Sequence, residues 1–165
     1  MTDKDLFVEI LKSEIPRFER VIKAVESVPK HKHSYKHDAK SRTAFELLSH
    51  ALGSESGMFS VFLKTGKLDF LAYPKPKWKT AEGVRKDFVK NMKNLEKLVK
   101  KMDNKKWSSK AQMFMGSKME WEEPRGKIAW EFLLDLIHHR GQLSTYLRPM
   151  GGKVPSIYGP SADSK

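Results

Sequence analysis

The sequence has no cysteine, which excludes disulfides, thiolate metal ligands and a cysteine nucleophile. It also has no apolar run approaching the roughly 20 residues that a bilayer-spanning helix needs, so no membrane partner is expected. Acidic residues are in short supply: 20 Asp and Glu against 32 Lys and Arg leave a formal charge of +12. The first residues, MTDKDLFVEILKSE, are charged and amphipathic and lack the apolar centre of a signal peptide, so a cytoplasmic protein is expected. At 165 residues and 39% hydrophobic, the chain has the material for one domain, 1–165, around one core.

A charge of this sign and size attracts polyanions. In the stretch 80–102, however, Lys86, Lys90, Lys93, Lys97, Lys100 and Lys101 fall on one side of a helix, with Val84, Phe88, Leu95, Leu98 and Met102 opposite. That is an amphipathic helix with a uniform solvent face. No aromatic residues interleave with the lysines to stack bases, and no nucleic-acid-binding motif is present. Nucleic-acid binding beyond non-specific attraction at low salt is not expected.

Apolar periodicity predicts helices over about 5–27, 41–65, 80–102 and 123–148, followed by an irregular tail 149–165. Pro16 leaves room for a kink or a late start in the first. His31, His33 and His37 lie in a polar loop, where solvated side chains are expected. The connection 66–79 can reach about 45 Å when extended, against about 35 Å for a neighbouring helix. It can therefore run back along the bundle and make helices two and three parallel. The expected fold is all-α: a four-helix bundle in up-down-down-up order with a long crossover. Residues 103–122 break the helical pattern. Gln112–Met115 reads as extended or as a short lid, and Trp107, Phe114 and Trp121 as cover for the core.

The last helix carries the chemistry. At about 100° per residue, Ile128, Phe132, Asp135, His139, Gln142 and Tyr146 share one face. Asp135 and His139 are four apart and can reach one cation. A carboxylate oxygen and an imidazole nitrogen suit zinc, nickel, iron or manganese. His50, on the second helix with Leu47 and Met58, is the candidate third ligand. The alternative is a non-catalytic binding or interaction bundle, in which His50, Asp135 and His139 form a structural polar cluster. Arg140 lies about 100° round from His139 and is expected to meet an outer carboxylate or a neighbouring helix.

The run HHRGQLSTYLR followed by PMGGKVPSIYGPSAD resembles the DinB/YfiT-like group of four-helix proteins, and the likeness extends over most of the chain. It implies a divalent metal on three histidines, matched here by His50 and His139, with Asp135 standing where the group has its other histidine. It also implies a metal-dependent enzyme acting on a small molecule, of the thiol-transferase or hydrolase type, with a low-molecular-weight thiol as possible co-substrate and a homodimer as the assembly. On that reading zinc or nickel is the first expectation for the metal. By spacing, Glu131 stands one turn before Asp135 and Glu46 one turn before His50; either would serve as general base near the metal, and Gln142 and Tyr146 would orient a ligand.

Overall fold

Thr2 closes a capping box with Asp5: its hydroxyl accepts from the Asp5 amide, while the Asp5 carboxylate accepts from the Thr2 amide. This begins α1 (Asp3–Ser27) in the computed structural model, which describes residues 1–164; Lys165, the end of the expected tail, lies outside the described residues. Pro16 sits inside α1 without ending it or delaying its start. An interior proline costs about 3 kcal/mol. Phe7, Leu11, Phe18, Val21, Ile22 and Val25 are each fully buried on this helix, at about 1.5–3 kcal/mol apiece, and they decide the outcome. A 3-10 turn, Lys30–Ser34, follows. Its His33 ring nitrogen lies 2.9 Å from the Val25 carbonyl and 3.0 Å from that of Val28, so it serves the end of α1.

The second helix is where periodicity misleads. Thr43 caps α2 (Ala44–Leu47), a π-helical segment occupies Leu48–Ser54, and α3 (Glu55–Thr65) completes the rod. Gly66 ends it at φ 79°, in the left-handed region that favours glycine. A Cβ built on Gly66 would lie 2.2 Å from an Arg125 guanidinium nitrogen. Gly66→Ala is expected to cost about 2 kcal/mol, lowering Tm by roughly 4–8 °C. Gly141→Ala, at a helical position with nothing within 4 Å, should leave Tm unchanged or raise it. Equal thermal shifts in the two variants would refute this account of the Gly66 turn.

The expectation of an all-α fold is corrected by a three-stranded sheet. β1 (Lys67–Asp69), from the crossover, pairs in parallel with β2 (Lys110–Met115). β2 pairs antiparallel with β3 (Lys118–Pro124), and the last helix begins only after β3. In β2 the alternate residues Ala111 and Met113 are buried, a two-residue period over a strand too short to stand out from the helical background. α4 (Ala81–Lys101), capped by Thr80, and α5 (Asn104–Ser108), capped by Asp103, precede the hairpin; α6 (Arg125–Leu147) follows it. Trp107 is buried against Phe7, and Trp121 packs on Phe62.

Cross-helix contacts give the directions. Asp3 meets Trp130 and Glu14 meets Arg140, so α1 and α6 run together. Arg125 meets Leu63 and Tyr146 meets Arg42, so the α2–α3 rod runs against α6. Arg85 meets Glu26 and Lys4 meets Met102, so α4 runs against α1 and parallel to α3. The order is up-down-down-up, as the length of the crossover predicts. Among the described residues no helix is long and apolar enough to cross a membrane.

Arg140 is fully buried, against the Glu14 carboxylate and beneath the Phe18 ring, with its centre 4.6 Å from the ring centroid. The Tyr158 hydroxyl accepts from Arg140 at 2.6 Å and donates to Glu14 at 3.2 Å, tying the tail to the core. Asp163 accepts from Arg148 and from the Val154 amide, so the irregular tail is held as far as Asp163.

Candidate metal centre

In an α-helix the residue that shares a face with His50 is Ser54, four positions on. The π segment closes its ring one residue later, i→i+5, and brings Glu55 to that face instead. The His50 Nε2 lies 3.8 Å from the Glu55 Oε1. From the facing α6, His139 Nε2 comes within 3.5 Å of the same Glu55 oxygen and 3.4 Å of Asp135 Oδ2. One ligand atom each from Glu55, Asp135 and His139 lies within 4.8 Å of the other two.

The protonation pattern follows from the neighbours. Gln142 Oε1 accepts from His139 Nδ1 at 2.8 Å, which fixes the proton there and turns the Nε2 lone pair toward both carboxylates. Three lone-pair sites facing one another require a proton or a cation between them. Glu55 shows the tension. It is buried, and its second oxygen, Oε2, has no hydrogen-bond partner. Burial, then the Asp135 charge and a hydrogen bond with Asp135, raise its pKa from 4.5 to about 8, with Arg42 pulling the other way. Burial, then Arg42 and His139, hold His50 below the ordinary imidazole value, which favours the neutral form that ligates metal.

The donor set fits a divalent ion. Ligands at about 2.1 Å in a tetrahedron stand about 3.4 Å apart, which is the spacing of His139 Nε2 from its two carboxylate neighbours. Two carboxylates and an imidazole make a harder, more anionic set than three histidines. Helical spacing alone does not mark Glu55 as a ligand. A carboxylate among small and apolar residues, SHALGSESGMF, was the available signal, and strict 3.6-residue periodicity hid it.

The expected residues differ in how they stand to this centre. His50 is half exposed at the rim, and the Asp135 side chain opens to solvent. Glu46 is engaged in the Thr43 capping box. Glu131 pairs at 3.8 Å with Lys127 on the outside of α6. Tyr146 donates to the Arg42 carbonyl, and Gln142 orients His139. Two open grooves meet at Lys40, Ser41 and Arg42. One, of about 980 Å³, runs past His138 and Gln142; the other, of about 920 Å³, runs past His50 toward the sheet.

Residues 1–164 match the DinB family. Two solved structures share the fold: the DinB-like protein YjoA of Bacillus subtilis (17% identity, TM-score 0.71, covering 97% of this chain and 99% of that one), and a DinB-like protein of Bacillus cereus (15% identity, TM-score 0.69, covering 92% and 95%). No curated protein matches. The match over the whole described length shows that the chain belongs to the DinB family.

Proposed function

We propose that this protein is a divalent-metal-dependent enzyme acting on a small molecule, of the thiol-transferase or hydrolase type. The observation that carries the reading is the convergence of Glu55, Asp135 and His139, one ligand atom from each within 4.8 Å of the other two, on a buried carboxylate whose second oxygen has no hydrogen-bond partner. These three would hold the ion, with His50 as the fourth ligand from the rim. Bound there, a divalent ion supplies the Lewis acidity that makes a water or a small thiol nucleophilic at neutral pH. Gln142 keeps the His139 lone pair aimed at the centre. Arg42 places a positive charge at the mouth, where it can hold an anionic substrate or leaving group. All four side chains come from one chain, so the reading holds for a monomer or a homodimer alike.

The test is elemental analysis of tag-free protein purified without added metal or chelator, followed by assays of thiol transfer to an electrophilic arene and of ester hydrolysis. About one transition-metal ion per chain is expected, with zinc or nickel foremost. His50→Ala should weaken the ion roughly 10- to 100-fold without changing the fold. One observation favours a non-catalytic structural cluster: neutral Glu55 can share its proton with Asp135. No metal as purified, and no thermal shift on adding zinc, nickel or manganese, would decide for that second reading.

A further inference from the structure

On the reading just given, we propose that the substrate is a small amphipathic anion, its carboxylate or sulfonate head seated at Arg42 beside the metal centre and its apolar tail laid along the groove toward the sheet. The two ends of this groove differ in chemistry. Lys40, Arg42 and Lys75 line it, and among the described residues none of their side chains has an ion-pair partner. Glu46 is the one carboxylate in its lining, and that group is engaged by the Thr43 amide at 2.8 Å. Arg42 therefore gives the groove a free cationic group in the same lining as His50. Beyond it the lining turns apolar, with Met58, Phe70, Leu71, Trp78 and Met115.

Two of these residues stand out. Leu71 is 66% exposed and Met115 43%, large apolar groups left in water on the lips of one groove. Asp69 holds both lips. Its Oδ1 accepts from the Leu71 amide at 2.9 Å and from the Gly116 amide at 3.0 Å, joining the crossover to the β2–β3 turn. Trp78 is fixed as well, its Nε1 donating to Asp87 at 2.8 Å. The apolar wall is thus formed before any ligand arrives, so little ordering remains for binding to offset. A cationic ligand would meet three positive charges. A small polar ligand would leave the apolar wall uncovered. An anion with an apolar tail satisfies both ends.

The experiment is calorimetric titration of the full chain, as purified and after zinc addition, with octanoate, octanol and octylamine. Octanoate should bind roughly tenfold tighter than the other two. Arg42→Ala should weaken octanoate by about that factor and leave octanol unchanged. Leu71→Ala should weaken octanoate and octanol alike. The double variant Lys12→Ala, Lys23→Ala, distant lysines on α1 that line neither groove, should change nothing. Equal affinity for the three ligands, or an equal loss from the distant lysines, would overturn the proposal. So would Leu71-dependent binding to phosphatidylglycerol vesicles without octanoate binding, which would assign the groove to a membrane surface. Metal content measured on the same samples separates the two readings. Octanoate bound by protein that takes up no metal even after zinc addition would sink the metal centre alone; a filled metal site indifferent to octanoate would sink the substrate class alone.

Discussion

Metal-free Glu55→Gln protein is expected to be more stable than metal-free wild type at pH 8, while binding a divalent ion at least about 100-fold more weakly. Both effects come from one buried carboxyl. In the folded chain its pKa is raised to about 8, above the 4.5 of an ordinary glutamate. The folded state therefore binds more protons than the unfolded state between those values. Stability from this group is present in full below about 4.5 and drains away as the pH rises to about 8. The shift spans 3.5 units (8 − 4.5), so wild type should lose about 3 kcal/mol relative to Glu55→Gln between pH 5 and 8, or roughly 10 °C in Tm. His50, whose pKa is lowered, works in the opposite direction near pH 6.5, but it is common to both proteins and largely cancels in the difference. Thermal melts of both proteins in chelator across that range are the measurement. A pH-independent difference would show that Glu55 is not held neutral, and zinc added at pH 8 should stabilise wild type far more than the variant.

Arg140→Met is expected to give the largest loss of stability of any single substitution outside the metal centre. Arg140 and Glu14 have side chains only 2% and 4% exposed, and the substitution would leave the carboxylate buried with Arg17 and the Tyr158 hydroxyl as its remaining partners. Stranding a buried charge costs about 3–5 kcal/mol. Glu14→Leu combined with Arg140→Met removes both charges and should recover most of that loss, because desolvating an ion pair absorbs much of what its attraction returns. Urea denaturation of the two single variants and the double variant checks this. If the double variant is as unstable as the sum of the singles, the pair is not coupled. Tyr158→Phe should cost about 1 kcal/mol, the share of one hydrogen bond.

Much of the scaffold was legible from spacing. The shared face of α6 identified Asp135 and His139 as neighbours, and they stand 3.4 Å apart. The length of the crossover correctly implied parallel middle helices, because reach is a property of backbone geometry alone. The 100° offset of Arg140 from His139 pointed it at a neighbouring helix, although nothing local could name Glu14, 126 positions away, as its partner. Glu55 was hidden because a uniform period cannot register one π turn, and every residue beyond Ser54 is displaced by it. The sheet was hidden for a different reason. β1 has three residues, and its partner β2 lies across an intervening helix; such a strand exists only through its pairing. Glu46 and Glu131, which spacing put near the ligands, have nearer partners in Thr43 and Lys127.

The charge pair under Phe18 also bears on how the chain is made. Glu14 leaves the ribosome before its partners: the Arg140 guanidinium follows 126 residues later and the Tyr158 hydroxyl 144 residues later. Until then α1 can pack against α3 and α4 only with a carboxylate that has its α1 neighbour Arg17 alone for charge. Docking before α6 arrives is therefore reversible, and the nascent helices stay free to correct their pairing. Synthesis of the last helix and its tail becomes the event that commits the core, so a stalled or shortened chain would present itself to proteases as an unfinished one.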